Sequence, residues 1–180
     1  MFDKLPHRNF SFSPFATMLK LLNSVSTLRY YSSSSSNILK SGDKLKQSRI
    51  FSTTDISEYS KLTNDINPLH FDLECAKKAG FKDTPVPGML VASLFPRIIA
   101  SHFPGAVYAK QTLEFKLPVF VGDEIVGEVE ASGVRRMNEN SFMVKFATRC
   151  FKGDGDDNVV VISGEATAIL PSLDVKTDED

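Results

Sequence analysis

Tryptophan is absent from this 180-residue sequence, and cysteine and histidine are scarce, at two and three residues. Two cysteines, Cys75 and Cys150, are too few for the disulfide framework of a small secreted domain. We therefore expect both to be reduced thiols in the interior. No uninterrupted apolar run approaches the ~18 residues that a transmembrane helix needs, so no membrane partner is expected.

An excess of charge of one sign is also lacking. The 21 basic and 22 acidic side chains leave a net charge of −1, which gives no support for nucleic-acid binding. Neither His nor Cys recurs at zinc spacing, and the acidic segment Asp154–Asp157 lacks the pattern of a calcium loop. We therefore expect no metal and no cofactor. Hydrophobic residues make up 42% of the chain, enough for the core of one domain.

Residues 1–42 differ in composition from the rest of the chain. They carry several basic residues but a single acid, Asp3, and serine is unbroken from Ser32 to Ser36. This composition is typical of an organellar transit peptide, although a disordered tail without an address has similar features. A mitochondrial address is favoured over a plastid one, because the Leu, Lys and Arg spacing over Met18–Arg29 allows a basic amphipathic helix. At the other end, residues 173–180 form an acidic tail.

An acid and a base lie close together in the middle of the chain. Asp65 and His70 are five residues apart, and the Asn67-Pro68 dipeptide between them favours a turn. The carboxylate and the imidazole therefore sit on a bent segment, which can aim both at one point. Further on, Gly88 follows a Pro-Val-Pro sequence and precedes an apolar run, which predicts a helix start with uncovered N–H groups.

The segments around this turn predict short helices. Ser48–Thr53 is expected to be a strand, and Thr54 or Asp55 is expected to cap the helix that follows. Asp72 should cap a second helix over Leu73–Ala79, which Gly80 ends. The buried stripe of the first of these helices is predicted to be Ile56, Tyr59 and Leu62.

A third helix is predicted over Met89–Phe103. Its residues are apolar nearly all round, which is typical of a helix buried on all faces. Pro96 lies inside this run and should kink or shorten the helix.

From Val107 the apolar residues recur with a period of two, which indicates strands. On the first strand Val107, Ala109, Gln111, Leu113 and Phe115 are expected to share one face, with Tyr108 and Lys110 on the other. Three more strands follow, and four sequential strands after a buried helix predict an antiparallel meander wrapped around it. These later strands are expected over 124–136, 142–148 and 159–170.

The residues from Tyr59 to His70 carry a resemblance to a known family. The pattern Tyr59-x-x-Leu-Thr-x-Asp65-x-Asn67-Pro-Leu-His70 resembles the R-specific enoyl hydratase branch of the MaoC-like hotdog superfamily. Gly88-Met-Leu resembles that family's second motif, except that Pro87 stands where the family usually has a His. The resemblance covers roughly residues 48–171. It implies an α+β fold with a single hotdog domain, residues 43–172, in which an antiparallel sheet wraps around a buried central helix.

The resemblance also implies a reaction. It is the reversible dehydration of a (3R)-3-hydroxyacyl thioester, with Asp65 and His70 as the catalytic acid and base. Free Asp and His side chains have reference pKa values of ~3.9 and ~6.5, so neighbours can leave one charged and one protonated near neutral pH, but the sequence does not say which is the base. The N–H of Gly88 would bind the thioester oxygen. Asn67 would orient water or substrate, or simply form the turn.

The resemblance, together with the composition of residues 1–42, also implies a compartment, a substrate and a partner. It implies a mitochondrial matrix enzyme of type II fatty acid synthesis that acts on thioesters of acyl carrier protein, or of coenzyme A. The expected oligomer is a homodimer. A hotdog acyl thioesterase, an R-specific enoyl-CoA hydratase and a non-catalytic acyl-thioester binder are the alternatives. Six basic residues are candidates to meet a pantetheine phosphate or an acidic carrier, although solvated surface charge explains each one singly: Lys77, Lys78, Lys82, Arg97, Arg135 and Arg136.

Overall fold

The computed structural model describes residues 39–153 and 159–171. The expected acidic tail, the segment Asp154–Asp157 and most of the expected leader lie outside these residues. The described chain forms five strands, four α-helices and one 3₁₀ turn, Pro68–His70. The strands are β1 Lys44–Ile50, β2 Val107–Phe115, β3 Glu124–Asn138, β4 Ser141–Lys152 and β5 Val159–Leu170. The helices are α1 Thr53–Thr63, α2 Leu73–Lys78, α3 Gly88–Ala92 and α4 Leu94–His102.

All strand pairings are antiparallel, and the sheet order is β1-β3-β4-β5-β2. The predicted meander is confirmed for β3, β4 and β5. It is wrong for β2, which pairs with β5 at the far edge and not with β3. The reason is that β1 and β4 occupy the two edges of β3, so β2 has no free edge of β3 to pair with.

The predicted single helix Met89–Phe103 is two helices that meet at Ser93. The helix is thus shortened, as predicted from Pro96. Pro96 is the third residue of α4, where a backbone N–H has no intrahelical acceptor, so the shorter helix accommodates the proline. The prediction of burial on all faces is also wrong for α4. Leu94, Phe95, Ile98 and Ile99 are buried, whereas Arg97 and Ala100 are exposed.

Close packing of α4 on the sheet depends on Gly127 of β3. A Cβ added at Gly127 would lie 3.1 Å from both Leu94 and Ile98, so a larger residue would push the helix outward. Leu39 also packs into this core at 7% exposure, ahead of the expected domain boundary at residue 43. Among the described residues, none of the helices has the length and apolar character that a membrane crossing requires.

The first strand and helix both begin earlier than expected. Strand β1 spans Lys44–Ile50, and the N-cap of α1 is Ser52, not Thr54 or Asp55. Asp55 completes a capping box, because its carboxylate accepts from Ser52 N at 2.8 Å while Ser52 Oγ accepts from Asp55 N at 3.2 Å.

The predicted stripe on α1 is wrong at its last member, since Leu62 is 83% exposed. Residues i and i+6 lie about 120° apart around a helix, whereas i and i+4 lie about 40° apart. The buried pair is accordingly Ile56 and Ser60. The prediction for α2 is confirmed, because Asp72 caps it through Glu74 N and Cys75 N, and Gly80 follows with a φ of +90°.

Strand β2 contains a bulge that overturns the expected alternation of its faces. The register with β5 shifts between Tyr108 and Lys110, which leaves Ala109 without a partner. Tyr108 and Gln111 therefore share the inner face, where the Tyr108 hydroxyl donates to Gln111 Oε1. Gln111 Nε2 donates in turn to Thr148 Oγ1 at 3.1 Å, and burial raises the pKa of Tyr108 to about 12.

Candidate active site

The loop from Asn64 to His70 is shaped by its own short-range hydrogen bonds. Helix α1 ends at Asn64 in the left-handed region, with a φ of 57°. Asp65 Oδ1 then accepts from Asn67 N at 3.2 Å, and Asn67 Oδ1 accepts from Leu69 N at 3.2 Å. Both are turns in which an Asx side chain bonds to backbone two residues on, the conformation these residue types favour. They begin the 3₁₀ turn that ends at His70.

His70 is held by a backbone carbonyl from a distant segment. Its Nδ1 lies 2.8 Å from the carbonyl oxygen of Pro85. A carbonyl only accepts, so Nδ1 carries the proton of this hydrogen bond. The other ring nitrogen, Nε2, is thereby turned towards Asp65, whose Oδ2 lies 4.0 Å away. The His70 side chain is 13% exposed and that of Asp65 is 38% exposed, so the pair is open to solvent from the Asp65 side.

The separation between Asp65 and His70 has a chemical consequence. At 4.0 Å, Oδ2 and Nε2 are too far apart for a direct hydrogen bond. A gap of this size suits a third polar atom between the two groups, such as the oxygen of a water or a substrate hydroxyl. The arrangement therefore offers an acid–base pair that can act on one oxygen.

Gly88 is the first residue of α3, and no side chain caps that helix. Its position is close to the ring of Phe115, at the end of β2. A Cβ added at Gly88 would lie 2.6 Å from Phe115 Cε1, so glycine is required for this close approach. The first N–H groups of a helix have no intrahelical acceptor, which leaves the Gly88 N–H available to a ligand.

His70 and Gly88 line the same cavity, which has a volume of about 430 Å³. This volume lies within the range typical of small-molecule sites. The wall is mainly apolar and contains buried side chains as well as exposed ones, which form its rim. The buried residues are Pro85, Val86, Val91, Val119 and Ile162, and the exposed ones are Met89, Phe115, Lys116 and Leu117.

The four predicted site residues are not equally placed. His70 and Gly88 line the cavity, whereas Asp65 and Asn67 lie outside its lining. Asp65 is next to the cavity through His70, whose Nε2 lies 4.0 Å from Asp65 Oδ2, and Asn67 is an exposed turn residue. The side-chain oxygen of Asn67 forms the turn, so its proposed contact with water or substrate stays a prediction. Pro85 and Phe115 were not predicted from the sequence as site residues. No local sequence pattern indicates either one, because each contacts the site from a segment that is distant in sequence.

Among the described residues, Lys116 is the other charged side chain that lines the cavity, and its Nζ pairs with Glu114 Oε2 at 3.3 Å. His102 is exposed at the end of α4, with Nδ1 2.8 Å from the carbonyl of Ile98. Both cysteines are free, and burial raises the pKa of Cys150 to about 12, which makes it a poor nucleophile. In the segments 39–153 and 159–171, no three His, Cys, Asp or Glu side chains cluster as metal ligands would.

The sequence of this chain is similar to those of known proteins. Residues 36–148 match the family model described as MaoC like domain. A mitochondrial 3-hydroxyacyl-(acyl-carrier-protein) dehydratase of Solanum lycopersicum, named FERN, is 60% identical over 156 residues, which are 87% of this chain and 92% of that protein. The mitochondrial 3-hydroxyacyl-(acyl-carrier-protein) dehydratase of Arabidopsis thaliana is 54% identical over 149 residues, covering 82% and 88%.

A solved structure gives the same fold. The (R)-hydratase from A. caviae, involved in PHA biosynthesis, superposes with a TM-score of 0.65 and 36% sequence identity. The match covers 74% of this chain and 98% of that one. The predicted hotdog architecture is thereby confirmed.

Proposed function

The chain belongs to the MaoC-like domain family, and from that membership we propose that it is a (3R)-3-hydroxyacyl thioester dehydratase. It removes water reversibly from the 3-hydroxyacyl thioester to give the trans-2-enoyl thioester. The observation that carries this proposal is the pair formed by Asp65 and His70, set 4.0 Å apart, with His70 in a cavity it shares with Gly88.

The proposed reaction assigns a role to each group. One member of the pair accepts the proton from C2 while the other donates a proton to the departing 3-hydroxyl, which leaves as water. The C2–H electron pair becomes the C2–C3 double bond. The thioester oxygen gains negative charge as the C2 proton leaves, and the N–H of Gly88 stabilises it. Proton exchange through the water between Asp65 and His70 restores the starting state.

The hydrogen bond to Pro85 prepares His70 for this role. Because Nδ1 is engaged, only Nε2 is left to exchange a proton with the substrate. Asp65 reaches the same oxygen from its solvent side. A carboxylate with an imidazolium and a carboxylic acid with a neutral imidazole hold the same number of protons, and the geometry suits both assignments.

We propose acyl carrier protein as the thioester carrier and the mitochondrial matrix as the compartment, within type II fatty acid synthesis. The names of the two plant relatives, both mitochondrial and both acting on acyl-carrier-protein thioesters, support this. The basic, serine-rich composition of residues 1–42 supports a transit peptide in the same way.

We further propose that the chain forms a homodimer through β2. This strand is the edge of the sheet beside β5, and its outer side offers unpaired backbone groups to a second copy. Val107 at one end and Phe115 at the other are both more than half exposed. Since Phe115 also lies on the cavity rim, a second copy paired along β2 would border the cavity mouth.

An assay of the enoyl chromophore tests the proposed reaction. Purified protein is mixed with trans-2-enoyl thioesters of acyl carrier protein and of coenzyme A. Reversible loss of absorbance without thiol release supports the proposal. Thiol release would instead indicate a thioesterase, and an unchanged spectrum with saturable binding would indicate a non-catalytic binder. Faster turnover of the coenzyme A thioester would favour an R-specific enoyl-CoA hydratase.

A further inference from the structure

We propose that a second hollow beside the active-site cavity binds the phosphate of the pantetheine arm that carries the substrate, with Lys82 as its main ligand. This inference rests on the proposed function, because it concerns the carrier end of the same substrate. The hollow has a volume of about 360 Å³. It shares Phe81, Leu117 and Pro118 with the wall of the first cavity, so the two are adjacent.

Among the described residues, the two hollows differ in the charge of their walls, because the first has one lysine, Lys116, whose charge is offset by Glu114 at 3.3 Å, and the second has two. The charged side chains that line the second one are two lysines, Lys82 and Lys152. Their Nζ atoms lie 4.9 Å and 5.3 Å from the centre of the Phe120 ring, so the two ammonium groups are at most about 10 Å apart. Contact with one buried ring orients both groups before any anion arrives. A phosphate beside Lys82 would accept a charge-assisted hydrogen bond from its ammonium group, and Lys152 would add a second positive charge nearby.

Nearby carboxylates leave Lys82 as the principal ligand. Lys152 is paired with Asp123, whose Oδ2 lies 2.5 Å from its Nζ. Asp83, beside Lys82 in sequence, accepts from Thr84 N at 2.7 Å. Within the described segments Lys82 makes no salt bridge, so its charge is not offset there by a carboxylate in contact. Of the two lysines that line the hollow in the described part of the chain, Lys82 is therefore unpaired and Lys152 is shared with Asp123.

The second hollow is tied to the catalytic loop by backbone pairing. Val86 N donates to the carbonyl of Val119 at 2.7 Å, and Pro85 and Phe120 form an isolated antiparallel bridge. Pro85 is also the residue whose carbonyl holds His70. The Phe120 ring and the catalytic imidazole are thus attached to one paired segment. The relative position of the Phe120 ring and the His70 imidazole is therefore fixed for any ligand that contacts both groups.

The chemistry of the substrate matches this division of charge. A thioester carried on pantetheine has an apolar acyl chain at one end and a phosphate at the other, in both coenzyme A and acyl carrier protein. The acyl chain suits the apolar cavity that His70 lines, and the phosphate suits the lysine-lined hollow next to it. The ligand that both carriers share is therefore the phosphate on the pantetheine arm, which is a phosphodiester in acyl carrier protein and part of a diphosphate in coenzyme A.

The test compares substrates with and without that phosphate. For each variant kcat/KM is measured with enoyl-coenzyme A, with enoyl-acyl carrier protein and with the enoyl thioester of N-acetylcysteamine, which has no phosphate. Lys82→Glu should lower the ratio of phosphate-bearing to phosphate-free kcat/KM about tenfold or more, mainly through KM, as expected for loss of a charge-assisted hydrogen bond. Lys82→Gln should give a smaller change in the same direction.

The matched control is Lys145→Glu, an equal charge reversal at an exposed position of β4 that lines neither hollow. It should leave the ratio unchanged. An unchanged ratio in Lys82→Glu, or an equal fall in the control, would overturn the proposal. A fall with coenzyme A but not with acyl carrier protein would restrict the site to free coenzyme A.

A binding measurement separates this proposal from the proposed reaction. Calorimetry with coenzyme A alone should show weaker binding by Lys82→Glu than by Lys145→Glu. If the wild-type protein shows no hydratase activity but this difference persists, the proposed function fails and the phosphate site stands. If activity is present and the difference is absent, the site fails and the function stands.

Discussion

At the scale of single residues, the hydrogen bond from His70 to the Pro85 carbonyl decides which ring nitrogen faces the cavity. The bond spans fifteen positions of sequence, so the conformation of the loop from Asn64 to His70 depends on a segment outside that loop. Asp65 is held differently, through Oδ1 and the backbone of its own turn. One member of the pair is therefore positioned by tertiary contact and the other by local structure.

Substitution of the pair is the first prediction at this scale. Asp65→Asn and His70→Ala should each lower kcat by roughly 10²–10⁴, the usual contribution of a positioned acid or base. The double variant should be little worse than either single one, because the two groups act as a unit. Circular dichroism should show an unchanged fold. His102→Ala is the control, and loss of activity there with activity kept in Asp65→Asn would refute the site.

Gly88 supports a second prediction at the residue scale. In Gly88→Ala the new methyl group would lie 2.6 Å from the Phe115 ring, so the ring or the start of α3 must move. A displacement near 1 Å at a reacting centre costs about 10²-fold, and kcat/KM should fall by that order. Phe115→Leu removes the ring edge and should restore part of the loss in the double variant. Equal activity of Gly88→Ala with and without Phe115→Leu would contradict this coupling.

At the scale of elements, hydrogen bonds at both ends of α1 connect it to its neighbours in sequence. Ser52 and Asp55 satisfy the backbone N–H groups at its beginning, and Arg49 from β1 donates to Asp55 Oδ1 at 2.7 Å. At the other end, Ser60 Oγ donates to the carbonyl of Asp65 at 2.5 Å. The helix is thus connected to β1 before it and to the Asp65–His70 turn after it.

The pH dependence of this cap is the third prediction. The hydrogen bond from Ser52 N–H is the largest cause that holds the pKa of Asp55 below 3.8, so the unfolded state binds more protons near that pH. The stabilisation is therefore present well above pH 4 and lost as pH falls through the folded-state pKa. Asp55→Asn should cost about 1 kcal/mol at pH 6, typical of a lost cap, and less at pH 3.

Urea unfolding of the wild type and of Asp55→Asn at the two pH values measures this difference. Glu58→Gln, on the exposed side of the same helix and outside the cap, is the control. A difference between wild type and Asp55→Asn that grows as pH falls would show that the sign is wrong.

At the scale of the whole molecule, the sheet has two edges of different character. Strand β1 carries Lys44, Lys46 and Arg49, and its lysines pair with the carboxylates of β3. Glu128 of β3 is almost fully buried beneath these cations and Arg149. Charged side chains are a common protection of an edge against pairing. Strand β1 exposes one large apolar side chain, Ile50, whereas β2 exposes two, Val107 and Phe115, and for this reason we propose that the dimer contact lies on β2.

The fourth prediction uses a matched pair of edge residues. Val107 on β2 and Ile50 on β1 are both 58% exposed. Val107→Lys should lower the mass measured by light scattering from that of a dimer towards that of a monomer, because the new charge would be buried between strands. Ile50→Lys should leave the mass unchanged. A dimer that survives the first substitution and not the second would place the contact on β1.

The fifth prediction concerns the leader. A fluorescent protein fused after residues 1–42 should enter mitochondria, and a cytosolic or plastid signal would contradict the proposed address. Removal of residues 1–38 should leave the domain folded and active. Leu39→Ala should be destabilising, by roughly 2 kcal/mol or more in chemical unfolding, because Leu39 packs in the core. A stability equal to wild type would show that the domain begins later.

Short-range chemistry explains what the sequence determined by itself. The Asp65–His70 turn, the Asp72 cap and the end of α2 at Gly80 all follow from contacts within a few residues, and these predictions agree with the structure. Residue type and spacing are sufficient there, because an Asx side chain bonds to backbone two or three positions away. The family pattern from Tyr59 to His70 lies in this part of the chain, and so the fold class could be inferred from it.

Only the tertiary structure decided the features that depend on distant segments. Strand β2 pairs with β5, Phe115 meets Gly88, and Pro85 orients His70, although no local pattern indicates these contacts. The same holds for Lys82 and Lys152, which approach one Phe120 ring from separate segments. Hydrophobic periodicity states which face of a strand is buried but not which strand lies beside it. The neighbour of a strand is decided by long-range pairing: β1 and β4 occupy both edges of β3, which leaves β2 the free edge of β5.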